Sequence, residues 1–360
     1  MTSDGKPFPD GKVLLRATQA ESAGAGLRVA GLSVCERSWR QLRSVKLEVV
    51  LASDGSCPLP KTLPSGIDVR AVASADDMDK LRSELAGVQE VGADEVRPVA
   101  RDFASAIRVT DAASRKRAED AIFAQLLRGD LGIVARYLNK PISFRITRYL
   151  LCHLPLTPNQ VSVAAALVGL CGAALVATGR HWLMIAGFLL AHAQSVLDGC
   201  DGELARVRFQ QSKVGEWLDT LIDEGLNIAL FACTGIGLWR QSGSTLALAV
   251  GLTAASIHVF YDVVALTELA RQGQGGELMR IRWWLTGGID MKNRTGQKHG
   301  DLVVIVHGFT RRDFFVLAFF LYALAGLPFL ALVHASIIAV GQLVLTSGQV
   351  AWRLTRSGGR

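Results

Sequence analysis

No C-x-x-C pair and no zinc-type spacing occurs among the six cysteines, at positions 35, 57, 152, 171, 200 and 233. The common redox and zinc signatures are thereby excluded, and small apolar packing is the expected role of these thiols. The first 130 residues hold no long apolar run, no clean G-x-G-x-x-G and no P-loop lysine, so the usual phosphate-cradling loops are missing. The opening Met-Thr-Ser-Asp-Gly-Lys-Pro-Phe-Pro-Asp has no apolar core of a cleavable secretory signal, and the first domain is expected to stay in the cytoplasm.

What is present is unevenly placed. Half of the 360 residues are hydrophobic, yet residues 160–353 carry nearly all the long apolar runs. The expected fold class is a multi-pass α-helical membrane protein with six transmembrane helices and a small N-terminal α/β cytoplasmic domain. The expected divisions are a soluble α/β domain over 1–110, a linker with interfacial helices over 111–155, and a membrane domain over 156–356. The net charge is +7. The basic residues cluster beside apolar segments, which fits anionic headgroups and the positive-inside rule rather than nucleic acid.

Within the first domain, residues 12–15, 47–51 and 69–72 read as strands and 38–45 and 76–86 as helices. Residues 111–130 read as a helix that breaks at Gly129-Asp130. Residues 133–154 alternate apolar and basic positions, with Pro141 interrupting them, which suits helices lying along the inner membrane surface. The six apolar spans are placed at 160–178, 181–197, 214–238, 244–268, 314–333 and 335–353, each near the ~20 residues a bilayer needs. Arg206, Arg208 and Lys213 fall in the expected 198–213 loop. Arg271, Arg280, Arg282, Lys292, Arg294, Lys298, Arg311 and Arg312 fall in the 270–312 loop, and Arg353, Arg356 and Arg360 at the C-terminus. The opposite loops hold only Arg180 and Arg240, so both termini are expected on the cytoplasmic side of the inner membrane. Trp283-Trp284 suits an interfacial anchor.

The chemistry concentrates in Asp198-Gly-Cys-Asp201-Gly202-Glu-Leu-Ala205-Arg206, eight further residues, and Gly215-Glu-Trp-Leu-Asp219-Thr-Leu-Ile-Asp223. Spacings of three and four put Asp198 with Asp201, and Asp219 with Asp223, on single helix faces. Two facing helices can aim these four carboxylates at one point, where protons or divalent cations must neutralise them. Hard oxygen ligands favour Mg2+ or Mn2+, which accept phosphate into their coordination shell. Gly202, Gly215 and the small Ala205 leave room for a close approach, and Arg206 offers a bidentate phosphate donor.

Read as D-x-x-D-G-x-x-A-R-x8-G-x-x-x-D-x-x-x-D, the stretch resembles the signature of the CDP-alcohol phosphotransferase family. The resemblance implies a metal-dependent membrane enzyme. It moves a substituted phosphate from a CDP-alcohol, of CDP-diacylglycerol or CDP-inositol type, to an acceptor alcohol and releases CMP. It implies Asp198, Asp201 and Asp219 as metal ligands, and Asp223 as the general base that also touches metal. Gly202, Ala205 and Arg206 are implied as part of the CDP site, and a homodimer as the assembly. Thr157-Pro158-Asn159 resembles the T-P-N opening of the family's first span; Thr157 is equally suited to a simple helix cap. Residues 118–148 resemble a narrower group, inositol-phosphate cytidylyltransferases fused to di-myo-inositol-phosphate-phosphate synthases. Val29–Trp39 followed by 47–51 echoes their nucleotidyltransferase fold, but the Gly-rich loop and its lysine are absent, which implies a degenerate domain.

Arg311 and Arg312 are either positive-inside markers or the cation pair that an acceptor carrying its own phosphate needs. His258 and Asp262, four apart in the fourth span, either line the acceptor pocket or bond each other, and His192 and Asn227 face the same choice. Two other readings compete. A transporter or metal-binding membrane protein would use carboxylates at membrane depth, but Arg206 with two glycines suits a phosphate better. A catalytically silent scaffold has no need of a complete aspartate set.

Overall fold

The computed structural model describes residues 12–17, 28–44, 48–53, 67–72, 74–85, 89–92, 95–96, 106–126, 132–272, 276, 278–286 and 309–357. The chain divides into two compact units. The first contains Met1–Arg128, Arg148–Pro155 and Leu204–Gln210; the second contains Gly129–Thr147, Leu156–Glu203 and Gln211–Arg360.

The first unit is α/β. Its strands are β1 (Lys12–Ala17), β2 (Arg28–Val29), β3 (Leu32–Ser33), β4 (Glu48–Ser53), β5 (Ile67–Ala71), β6 (Gln89–Gly92), β7 (Glu95–Val96) and β8 (Ile107–Arg108). Four form one parallel sheet in the order β5-β4-β1-β6, with Val13 opposite Val49 and Gln89. Parallel strands covered on both faces read as unbroken apolar runs. Val13-Leu14-Leu15 and Val49-Val50-Leu51-Ala52 are such runs, and all are buried.

Helix α1 (Val34–Ser44) starts four residues before the expected 38–45, because the Ser33 hydroxyl accepts the Glu36 amide at 3.1 Å and caps it. It buries Arg37, whose Nε and NH2 donate to the Val29 carbonyl at 3.2 and 2.9 Å. Burial lowers this guanidinium to about 10. Helix α2 (Ala75–Glu84) begins with a Ser74–Asp77 capping box. Helix α3 (Ala112–Leu126) is held at its start by Asp111, whose carboxylate accepts from Ser114 Oγ at 2.6 Å and Ser114 N at 2.7 Å. Those bonds hold the Asp111 carboxyl below its ordinary value. Arg148 pairs with Asp120 at 2.5 Å and Glu119 at 3.3 Å.

The second unit is helical. A π-turn at Ala135–Asn139, with Lys140 N bonded to the Ala135 carbonyl, leads into α4 (Lys140–Tyr149). Pro141 therefore does not interrupt the segment. It sits where the wider turn already departs from the i→i−4 ladder that proline would break. The expected break at Gly129-Asp130 and the basic residues Lys292, Arg294 and Lys298 lie outside the described residues.

The long helices are α5 (Pro158–Ala177), α6 (His181–Arg208), α7 (Lys213–Ser242) and α8 (Thr245–Arg271), followed by α9 (Arg312–Leu324) and α10 (Phe329–Ser357). Thr157 and Gln160 close a capping box at the start of α5, with Pro158 in its first turn. Among the described residues, five helices are long and apolar enough to cross a membrane: α5, α6, α7, α8 and α10. The expected span 314–333 is not one helix. Helix α9 ends at Leu324, Gly326 takes φ 76°, and Pro328 precedes α10. With 13 residues, α9 is about 20 Å long, against a hydrocarbon core of about 30 Å.

Phe188, Phe231, Phe315 and Phe319 centre the core, ring to ring at 5.5 to 6.3 Å. Helices α7 and α8 meet at Gly235 and Gly251, where a Cβ on Gly251 would lie 2.5 Å from the Gly235 Cα. Small residues let apolar helices approach this closely. Trp283 is buried and Trp284 is half-buried. Trp283 is 4% exposed and stacks on Tyr261, while Trp284 Nε1 donates to the Leu345 carbonyl at 3.0 Å. Cys152, Cys171, Cys200 and Cys233 are free thiols.

Candidate active site

Helix α6 runs through the whole first half of the aspartate motif to Arg208, so 198–213 is not a loop. Residues 209–212 alone make the turn, with Phe209 at φ 56° and Ser212 Oγ capping the Gly215 amide at 3.0 Å. The result is that Asp198 and Asp201 of α6 come close to Asp219 of α7, although they lie 18 or more positions apart in the sequence.

Carboxylate oxygens of Asp198, Asp201 and Asp219 lie within 4.8 Å of one another. Ser162, on α5, donates its hydroxyl to Asp201 Oδ2. Asp219 Oδ1 is buried without a hydrogen-bond partner among the described residues. Three converging acceptor groups with an unpartnered buried oxygen suit a divalent cation. Left without a cation or protons, they would repel one another.

Asp223, one turn further along α7, is outside that triple. Its Oδ1 pairs with Arg312 NH1, and Gln194 Nε2 lies 3.5 Å away. Gln194 Oε1 accepts from Arg312 NH2 at 2.6 Å, closing a triangle across α6, α7 and α9. Gln194 is fully buried. Its signal was available, because it stands one helical turn before Asp198 in an apolar run. Arg311 turns elsewhere, with its Nε 3.2 Å from Asp313 Oδ1, and Asp313 Oδ2 accepts the Ala135 amide at 2.9 Å.

The remaining expected site residues divide in the same way. Gly202, Ala205 and Arg206 continue α6, and Arg206 is exposed. A Cβ on Gly215 would lie 3.3 Å from Asn159 Oδ1 and 3.1 Å from Ser212 Oγ, so this position has little room for a side chain. The Thr157 hydroxyl is occupied by its own capping box. His192 is buried with Nδ1 unpartnered among the described residues. His258 lies 3.9 Å from Asp262 but 2.8 Å from Glu224, a partner that sequence reasoning missed, and Asn227 Nδ2 donates to the same Glu224 at 3.1 Å.

Glu203, at a variable position of the motif, was also missed. It is fully buried and accepts from Lys140 Nζ at 2.8 Å, Ser143 Oγ at 2.6 Å and Thr147 Oγ1 at 2.8 Å. Those three donors share one face of α4, so the pair fixes α4 to α6 two residues from Asp201. Removing one partner of a buried pair costs about 3–5 kcal/mol. Glu203→Ala is therefore expected to lower the thermal midpoint of the detergent-purified protein sharply. Glu203→Gln should cost less, because its amide oxygen still accepts from one of the two hydroxyls. Equal midpoints for wild type and Glu203→Ala would refute this role.

A family model described as CDP-alcohol phosphatidyltransferase matches residues 155–287. Three curated relatives each carry the name bifunctional IPC transferase and DIPP synthase. That of Aquifex aeolicus is 36% identical over 107 residues, covering 30% of this chain and 24% of the relative. That of Rubrobacter xylanophilus is 37% identical over 136 residues, covering 38% and 29%. That of Thermococcus kodakarensis is 38% identical over 104 residues, covering 28% and 23%. The chain thus spans about a quarter of the length of the relatives it matches. The aspartate triple lies inside the segment 155–287 that is similar to the CDP-alcohol phosphatidyltransferase family model.

Proposed function

We propose that the protein is an integral membrane enzyme that transfers a substituted phosphate from a CDP-alcohol to a second alcohol. The observation that carries this reading is the convergence of Asp198, Asp201 and Asp219, with Asp219 Oδ1 unpartnered, one turn from the Asp223–Arg312 pair. Asp198, Asp201 and Asp219 would hold Mg2+ or Mn2+, which when bound would offset their charge and supply electrostatic stabilisation to a diphosphate. Arg206 and the cleared positions at Gly202, Ala205 and Gly215 receive the CDP moiety, with Thr157 and Asn159 at the neighbouring start of α5.

The acceptor hydroxyl oxygen bonds to the phosphorus bearing the substituent, the bond from that phosphorus to the CMP oxygen breaks, and CMP leaves. The hydroxyl proton passes to Asp223. Arg312, steadied by Gln194, holds Asp223 until an acceptor with its own phosphate competes for the guanidinium. That arrangement, with the names of the relatives, supports inositol-phosphate chemistry as the subclass.

The remaining organisation is proposed on the same footing. Helix α9 and the turn to α10 make a shortened sixth crossing. The excess of Lys and Arg at Arg206, Arg208 and Lys213 supports an inner membrane location with the site and both termini in the cytoplasm. Exposed Ile133, Tyr137 and Ile142 support an interfacial position for the segment around α4. The soluble domain is a degenerate nucleotidyltransferase over 1–110, followed by the 111–155 linker and the 156–356 membrane domain, and the enzyme works as a homodimer.

The test is a screen with detergent-purified protein and Mn2+. CDP-diacylglycerol and CDP-inositol are offered as donors to a panel of alcohols with and without phosphate, and CMP is read out. CMP formation that is faster with phosphate-bearing inositol acceptors is expected. No CMP from any donor would leave the transporter or scaffold readings in its place.

A further inference from the structure

We propose that Glu224, His258 and Asp262 form a second divalent-cation site inside the helix bundle, one that takes a transition metal of the Zn2+, Mn2+ or Co2+ class. Glu224 comes from α7, while His258 and Asp262 lie four apart on one face of α8. One ligand atom from each lies within 4.8 Å of the others. His258 Nε2 is 2.8 Å from Glu224 Oε2 and 3.9 Å from Asp262 Oδ1.

The far nitrogen of the ring is already held. The Gln342 amide, from α10, meets His258 Nδ1 with Oε1 at 3.0 Å and Nε2 at 2.7 Å. Nε2 is therefore the nitrogen that faces the carboxylates. An outer partner of this kind is how metal-binding imidazoles are usually oriented.

A separate observation points to a ligand. Asp262 Oδ1 and Asn227 Oδ1 are both buried without a hydrogen-bond partner among the described residues, and the two residues are only 7% and 5% exposed. Asn227 is tied to the same group, since its Nδ2 donates to Glu224 Oε2 at 3.1 Å. Both orphaned atoms are acceptors, so the missing partner is a donor or a cation. Charge favours a cation. Two carboxylates face one imidazole, and among the described residues no lysine or arginine pairs with either of them. The Tyr261 ring, 5.8 Å from the imidazole, shields the group further.

The donor set separates this site from the aspartate triple. A triple of carboxylates suits a hard ion such as Mg2+, whereas one imidazole nitrogen with two carboxylates suits a first-row transition metal. Glu224 directly follows Asp223. An ion here would tie α7 to α8 beside the reacting groups and hold the helix that carries Asp219 and Asp223 at a fixed rotation.

The experiment uses the full chain in detergent with Asp198→Asn and Asp219→Asn, which disable the first site, and with excess Mg2+ present. Co2+ is titrated into protein first stripped of transition metals, and bound Co2+ and visible absorption are recorded. One equivalent of Co2+ with a nitrogen-shifted visible band is expected. Adding His258→Ala or, separately, Asp262→Asn should weaken that binding by at least about 10–100-fold. The second variant keeps the side-chain shape should the first fail to fold. No bound Co2+ in the double variant, or Co2+ affinity unchanged by the substitution, would overturn the proposal and leave a closed network of shared protons. Because nothing in this readout depends on CMP release, its failure is distinct from failure of the proposed activity.

Discussion

Asp219→Asn is expected to bring CMP release to background while leaving the protein folded. The change removes a charge and keeps the shape. Asp219 has an oxygen that is buried and, among the described residues, unpartnered, so its stabilisation depends strongly on what enters the site. Disturbing the partners that merely orient metal ligands costs 10–100-fold in affinity or activity. Losing a ligand itself should cost at least about 100-fold. Mn2+ binding and CMP release should fall together, and the thermal midpoint without cation should hold or rise, because the mutual repulsion is relieved. A variant that keeps wild-type Mn2+ affinity would remove Asp219 from the cation site.

Asp223→Asn is expected to act differently. The side chain lies outside the triple and pairs with Arg312, so Mn2+ affinity should change little. The turnover number should drop by about 10²–10⁴-fold, the range that positioned acid–base groups supply. Arg312→Gln is the informative companion. It should raise KM for a phosphate-bearing acceptor far more than for an alcohol without phosphate, with donor KM nearly unchanged. Loss of cation binding on Asp223→Asn would instead make this residue a fourth ligand, which the aspartate spacing also allowed.

The contrast between these two residues shows where sequence reading stops. Spacings of three and four placed each aspartate on a face of its own helix, because helical period is local. Whether Asp223 joins the triple or turns to Arg312 depends on where α9 enters, 89 positions later in the chain, and no local pattern carries that. Gln194, Glu203 and Glu224 are single polar residues in apolar or motif context. They have no period, and only their partners on other helices reveal a role. The start of α5 was legible because Thr157, Pro158 and Gln160 form a self-contained cap. The end of α9 was not, because 314–333 is apolar throughout and the break rests on Gly326 at a positive φ with Pro328 two residues on. Three of the four sheet strands were readable as short apolar runs, but β6, the parallel pairing and the strand order are set between distant segments. The burial of Trp283 was not legible for the same reason. The composition of Trp283-Trp284 suits a membrane edge, while their partners, Tyr261 and the Leu345 carbonyl, lie on α8 and α10.

The most direct measurement is CMP release from a CDP-alcohol donor as a function of Mg2+ or Mn2+, made on the same preparation before and after chelation. Release should be absent without the ion, return in a saturable way as it is restored, and stay absent at every concentration in Asp198→Asn. Release that continues in chelator, or that Asp198→Asn supports at the wild-type rate, would contradict the account.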